Sequence, residues 1–547
     1  MGYLNKNIYI VVFLSILLIL LVPMFLLYYW GRNIPDGFYF SNLLQSDQLT
    51  YTSLFRSVWE RGNGFFYSYP YSVPGQDNPM VNFQIPFVIL AWLWKAFSEN
   101  IVLTWEVFRF LFGALFFSFV FLSTFEIARS FFKDELKELE HQSYFLVVFL
   151  LLIYGGGIAW VFTFFKFLFF NSGLELTFLE TFREVEKHYH WWFLNLYRNF
   201  MYPLELFYHF LFFFAIYNLI KRRITLVLIA QLLACGSGVF IGIELSAIII
   251  VFFIVEVFFL KNRNNLIYLL TSILIFMVFI FYYTYFLNLF PVTKSIYQQH
   301  RIEYDKIPLC EYFYGYGFLT ILIPLLFLSR KFRKFFISKF EGRVLLIWML
   351  VVGALIQNDK WMLGKGIQPA HFTRGYFYSV LLLISSIGLF PIWVKVRKKN
   401  IKKSVLILIL SLVIFLPDNI MFTLLRFKET PHPYPKPLFE FLNRIKEPKV
   451  IFPLDRNLGS QIPAFTHHHS MIGTEYTTPF NDEKVEMIRM YFNKQGAERV
   501  VKKYFIDIII VNSEFLNKFE KNVKLPDWKM IYQNATWSVF DTNLRYY

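Results

Sequence analysis

The sequence predicts a polytopic α-helical membrane protein of about 13 transmembrane helices, carrying a small C-terminal α/β domain outside the membrane. Three observations predict it. The chain of 547 residues is 56% apolar and 21% aromatic but only 17% charged, against about 25% charged in soluble domains. Its apolar residues fall in long runs, such as the one from Ile8 to Trp30, and about 20 such residues cross a bilayer as a helix. After residue 425 the pattern changes to mixed polar sequence.

The net charge of +16 does not mark a nucleic-acid binder. The basic residues sit in short clusters between apolar runs rather than on one polar face, so they read as topology signals and no nucleic-acid partner is expected. Cys235 within a span and Cys310 in a loop supply neither a disulfide framework nor a metal quartet. The first run is too long for a signal-peptide core and no small-residue cleavage site follows it, so it reads as a retained anchor.

Lys6 and the clusters Lys221-Arg222-Arg223, Lys261 to Arg263, Arg330 to Arg343 and Lys395 to Lys403 are assigned to the cytoplasm. Between them the chain goes out and back at about 224–240 and 241–260, 265–290 and 316–329, and 344–357 and 374–394, and a last span at about 404–424 leads outside. Earlier spans fall near 7–30, 81–97, 101–128 and 203–220. Bringing Lys221 inside needs one more crossing, so the run 142–170 counts twice, broken at Gly155-Gly156-Gly157, where helix propensity falls by about 1 kcal/mol per glycine. The N-terminus is then cytoplasmic, in a plasma or inner membrane, and long loops at 31–80, 171–202 and 291–315 lie outside.

The domain division is 1–424 for the membrane body and 425–547 for the outside domain. PHPYPKP reads as a stiff linker. KVIFPL, IDIIIVNS and WSVFDT read as strands, and the stretches around DEKVEMIRMYFNKQG and SEFLNKFEKN as helices.

In the first long loop Tyr51, Leu54, Phe55, Val58 and Trp59 follow helical spacing, which predicts an amphipathic helix on the membrane surface. Asp47 opens it. Read from the residues alone, Asp47 or Ser46 caps the helix and meets its positive end. Asp36, in Pro-Asp-Gly, sits in a turn pattern. The second long loop gathers Glu180, Glu184, Glu186, His188 and His190, and such donors can bind a divalent cation or simply be solvated. His371 and Arg374 lie near the outer end of a late span, with Lys360 and Lys365 upstream. An arginine at membrane depth is functional or snorkels to the interface. Arg198, Glu205 and Glu244 are further polar residues at span ends. The run His467 to His469 reads as surface or interface residues, because neighbours on a strand face opposite ways. Asn534-Ala535-Thr536 matches a glycosylation acceptor pattern.

Asp47-Gln48-Leu49-Thr50-Tyr51, the helix ending at Gly62, FFYSYPYS and Asn82-Phe83-Gln84-Ile85-Pro86 follow a layout that resembles the GT-C membrane glycosyltransferases. That class includes the oligosaccharyltransferase catalytic subunit, protein O-mannosyltransferases and the lipid A aminoarabinose transferase. The resemblance covers the whole chain through its span number, long first loop and outside C-terminal domain, and no single string in it is diagnostic.

The resemblance implies an inverting enzyme that moves a sugar from a polyprenyl-phosphate-linked donor to a glycan, lipid or protein acceptor at the outer face. It implies Asp47 as the catalytic base, with Asp36 the rival carboxylate, and Arg374 on the carrier phosphate, with His371 and Lys365 beside it. Tyr51, Arg198 and Glu205 become acceptor or pocket residues. Glu184, Glu186 and His188 become ligands of a divalent cation such as Mg or Mn, although the usual pair of acids one residue apart appears only as Glu184-Val185-Glu186. A polyprenyl-linked glycan ligase or polymerase, or a flippase, are the alternative readings. Flippases usually carry matching broken repeats, and only one broken run is found.

Overall fold

The computed structural model describes residues 10, 13–14, 46–73, 76–137, 139–170, 177–186, 202–299, 309–358, 368–429, 435–475, 477–492, 497–512 and 528–542. The predicted first span and Asp36 lie outside them. The chain divides into two compact units. One comprises Met1–Leu26, Val107–Phe279 and Glu303–Glu429, the other Leu27–Glu106, Ile280–Ile302 and Thr430–Tyr547.

Among the described residues six helices are long and apolar enough to cross a membrane: Ile101–Phe132, Pro203–Ile220, Val239–Phe259, Arg263–Leu289, Tyr376–Lys399 and Ile401–Phe422. A seventh crossing is the pair His141–Tyr154 and Ala159–Phe169, bent by 71°. The predicted spans near 81–97, 224–240 and 316–329 are the short apolar helices Ile85–Ala96, Ile224–Cys235 and Leu319–Leu328. At 1.5 Å per residue they reach about 15–18 Å, short of a core about 30 Å thick. The count of long spans is therefore lower than the number of apolar runs. Ile267, Leu274 and Val278 on one long helix and Leu406, Ile409 and Val413 on another are exposed, as lipid-facing residues should be. These features make the chain an integral, multi-pass α-helical membrane protein.

The 71° bend falls at the predicted glycine break. A Cβ on Gly157 would sit 2.0 Å from the Tyr314 carbonyl oxygen, and one on Gly155 2.1 Å from the Tyr378 hydroxyl, so neither position tolerates a side chain. The amides freed by the break are taken up from afar. Gly156 donates to the Phe415 carbonyl (2.7 Å) and Ile158 to that of Tyr314 (2.9 Å). The Asp418 carboxylate accepts from the amides of Ala159 (2.8 Å) and Trp160 (2.7 Å), capping the second half-helix from more than 250 residues away.

In the second unit, strands β1 (Val450–Pro453), β2 (His469–Ser470), β3 (Ile508–Asn512), β4 (Lys529–Gln533) and β5 (Trp537–Asp541) form one sheet in the order β2-β1-β3-β5-β4. β1 runs parallel to β2 and β3, and β5 antiparallel to β3 and β4. The three strands expected from sequence are β1, β3 and β5. Successive residues alternate between faces. Val450, Phe452, Ile509 and Val511 pack with Val500 and Val501 of helix Ala497–Tyr504. Ile451, Ile508 and Ile510 pack with Leu438, Leu442, Leu458 and Ile462 from helices Lys436–Arg444 and Arg456–Phe465. The expected helix around 482–496 is Asn481–Phe492, and the one around 513–522 lies outside the described residues.

Candidate functional site

In the first unit Arg374 ends the segment that turns, through Gly375 at φ 84°, into helix Tyr376–Lys399. Its guanidinium pairs with Glu205 at 3.0 Å and lies 5.4 Å over the Phe240 ring. The His371 imidazole stacks on the same Phe240 ring, with centroids 4.0 Å apart. His209 Nε2 lies 2.7 Å from the Arg374 carbonyl, so two helices, Pro203–Ile220 and Val239–Phe259, fix one arginine. Glu244, on helix Val239–Phe259, is fully buried, and Arg374 and Glu205 are the charges that act on it. Arg374 is thus held in a stacked and paired geometry, unlike a snorkelling side chain that extends toward water.

Of the residues picked from sequence, the structure brings Arg374, His371, Glu205 and Glu244 together. Lys360, Lys365 and Arg198 lie outside the described residues. Glu184 pairs with Lys166 at 2.8 Å, while Glu180 accepts from the Thr177 amide and hydroxyl and caps helix Phe178–Glu186. The side chain of Glu186, with His188 and His190, lies outside the description. Among the described residues no group of three His, Cys, Asp or Glu side chains could hold a metal ion.

In the second unit Asp47 stands, half-buried, in the first turn of helix Ser46–Glu60. The expectation of an amphipathic helix resting on the membrane surface is corrected here. Leu54, Phe55 and Val58 are buried, and so are Gln48, Thr50, Thr52, Ser53, Arg56 and Ser57. One face meets helix Ile85–Ala96 and the other meets helix Arg456–Phe465 of the C-terminal domain. Tyr51 packs on Phe87, with centroids 5.6 Å apart, and Thr52 Oγ1 accepts from Trp105 Nε1 at 3.0 Å. Across the domain side the Thr50 and Thr474 hydroxyls are 3.1 Å apart. Arg56 donates to the Ala464 carbonyl at 2.9 Å and Arg61 to that of His468 at 2.8 Å.

Burial dominates the electrostatics of this interface. It lowers the Arg61 guanidinium to about 10 and raises the Tyr71 phenol to about 12. His468, expected at the surface or at an interface, is fully buried. Its Nδ1 accepts from the Lys449 amide at 3.1 Å and its Nε2 lies 2.9 Å from the Leu442 carbonyl, and burial lowers its pKa to about 4. Lys484, which sequence reasoning passed over, is also fully buried and donates to the Tyr71 carbonyl at 2.8 Å. Burial brings it down to about 7. Only its place on a polar helix, four residues after Phe480, hints at this in the sequence. Asn534 closes the β4–β5 turn by accepting from the Thr536 and Trp537 amides.

Among proteins of solved structure the chain is similar to the Archaeoglobus fulgidus oligosaccharyltransferase tethered to an acceptor peptide, at 13% identity and a TM-score of 0.49, over 92% of this chain and 69% of that one. It is also similar to ArnT from Cupriavidus metallidurans in the apo state, at 10% identity and a TM-score of 0.49, over 96% and 97% of the two chains. The same ArnT bound to undecaprenyl phosphate gives 10% identity, a TM-score of 0.47 and 98% of each chain. No family model and no curated protein matches the sequence.

Proposed function

We propose that this chain is a GT-C-type glycosyltransferase that moves a sugar from a polyprenyl-phosphate-linked donor to an acceptor hydroxyl at the outer face of the membrane. The observation that carries the reading is Arg374, an arginine held among apolar helices by Glu205 and the Phe240 ring. A guanidinium has five donors in a planar fork, a geometry that matches phosphate oxygens. In this reading residues 1–424 form the membrane body and 425–547 the outside domain, with the N-terminus in the cytoplasm.

In the reaction the acceptor oxygen bonds to the anomeric carbon as the bond from that carbon to the phosphate oxygen breaks. Attack opposite the leaving group inverts the anomeric centre. The acceptor proton goes to the Asp47 carboxylate, and the negative charge left on the carrier phosphate is met by Arg374. Asp47 lies in the first turn of helix Ser46–Glu60.

The test is sugar transfer by purified Asp47→Asn protein with thermal melting alongside. The amide loses about 0.3–1 kcal/mol of interaction with the helix end, so melting stays near the parent's. Transfer falls by about 10²–10⁴ for loss of a general base. Parent-like turnover removes Asp47 from the mechanism.

A further inference from the structure

The first unit carries a second charged feature, remote in sequence from Arg374 and absent from the proposed reaction. Between the apolar helices Leu319–Leu328 and Phe340–Ile356 the chain forms a nine-residue helix, Arg330–Ser338. The residues on either side of it, Ser329 and Lys339, are extended, and the Ser329 hydroxyl accepts from the Phe332 amide at 3.3 Å. The helix is therefore a discrete element set off from both neighbours, at the level where apolar helices end.

Its two faces differ sharply in chemistry. Phe336 is buried and stacks on Phe131, with centroids 5.6 Å apart, and Phe335 lies 5.3 Å from the same ring. Arg330, Lys331, Arg333 and Lys334 are exposed, and among the described residues none of the four meets a carboxylate within ion-pair distance. Beside them Leu325, Leu328 and Ile337 are also exposed, Leu328 by 73%. Arg333 donates to the Phe327 carbonyl at 2.7 Å, which leaves its charge without a carboxylate, and exposed cations next to exposed aliphatic side chains suit neither water alone nor a soluble polyanion, which would leave the aliphatic groups unburied. They suit the boundary of a bilayer, where acyl chains cover the apolar part and headgroups meet the charge. Phe132 touches both Phe335 and Phe390. Helix Tyr376–Lys399 therefore brings its exposed terminal Lys398 and Lys399 to the same end of the unit.

We propose that Arg330–Ser338 is an interfacial helix whose Lys331, Arg333 and Lys334 bind the headgroups of anionic phospholipids in the adjacent leaflet. The phenylalanine face fixes the helix to the protein and the basic face is presented to the lipid. The proposal is independent of the glycosyltransferase reading, since it concerns neither Arg374 nor a carrier lipid.

The test uses the full chain in neutral detergent, titrated with dioleoyl-phosphatidylglycerol, dioleoyl-phosphatidylcholine or soluble glycerol phosphate, with the melting midpoint as readout. The parent is expected to gain stability with phosphatidylglycerol and not with the other two, and to lose that gain in 0.5 M salt. Replacing Lys331, Arg333 and Lys334 together by Gln is expected to raise the phosphatidylglycerol needed for half the effect by roughly tenfold or more. Lys331→Arg with Lys334→Arg keeps the charge and is expected to respond like the parent. The proposal is overturned if phosphatidylcholine or glycerol phosphate stabilises equally, if the Gln variant keeps the parent's response, or if the Arg variant loses it.

Discussion

Glu205 and a carrier phosphate would compete for one guanidinium, which makes Glu205→Gln a direct test of what Arg374 is for. The carboxylate sits 3.0 Å from Arg374. A phosphate on another edge of the fork would lie about 7 Å from it, where two like charges repel by about 2 kcal/mol at an effective dielectric of 20. Removing the Glu205 charge while Phe240 and His209 still hold the arginine should tighten binding of undecaprenyl phosphate by roughly thirtyfold. Without ligand the same change leaves a buried cation with less compensation, at a cost on the order of 3 kcal/mol. The variant should therefore melt lower than the parent when empty and recover most of the difference on adding the lipid phosphate. Binding measured by calorimetry in detergent, with melting recorded on the same samples, reads both effects. Arg374→Ala in the Glu205→Gln background should abolish the gain. Weaker or unchanged binding by Glu205→Gln would show that Glu205 positions Arg374 for a structural purpose, and the phosphate assignment would fall with it.

Asp418→Ala strands the Ala159 and Trp160 amides at the bend and should cost about 1.5–3 kcal/mol, since both bonds are to a carboxylate. Asp418→Asn keeps one acceptor oxygen and should lose less, and equal melting of the two variants would refute the cap. Lys484 predicts a pH dependence of known sign. Burial holds it near 7 against about 10.4 in an unfolded chain, so between these values the unfolded chain binds the extra proton. Stability should rise with pH through that window, by at most about 1.4 kcal/mol per pH unit, with the full penalty present below pH 7. Lys484→Met should flatten the rise, as read from melting midpoints at pH 6 to 10, and an unchanged slope would assign it to another group.

The membrane class was legible because it depends on composition and run length, which no tertiary contact can reverse. The break at Gly155-Gly156-Gly157 was legible for a similar reason, since three glycines weaken any helix. The partner that makes the break stable was not. Asp418 is an ordinary acid in a late apolar run until the fold sets it under two orphan amides. Among the described residues fewer helices are long enough to cross a membrane than there are apolar runs, because an apolar run shows that a segment is buried in lipid or protein but not how many of its residues are helical. Ile224–Cys235 ends at Gly236 to Gly238, a few residues before the boundary at 240 that the run through 224–260 suggests. For His468 the opposite-face rule left surface and interface both open, and the fold decides between them by covering it with the Leu442 carbonyl from helix Lys436–Arg444.

Helix Ser46–Glu60 shows most clearly why half of a pattern can be read and the other half missed. Spacing found Leu54, Phe55 and Val58, and the opposite face, rich in Thr and Ser, looked solvated. Yet the Thr52, Ser53 and Ser57 hydroxyls donate to the carbonyls of Gln48, Thr50 and Ser53 at 2.6–2.8 Å. A hydroxyl satisfied within its own helix makes no demand on water and can be buried almost as an alkyl group is. That frees the second face to pack on helix Arg456–Phe465, with Arg56 and Arg61 pinning it to the backbone at Ala464 and His468. A carboxylate on a helix gripped from both sides has little freedom of position. If Asp47 is the base, the C-terminal domain contributes to catalysis by fixing where that base stands, an effect to which rates are steeply sensitive.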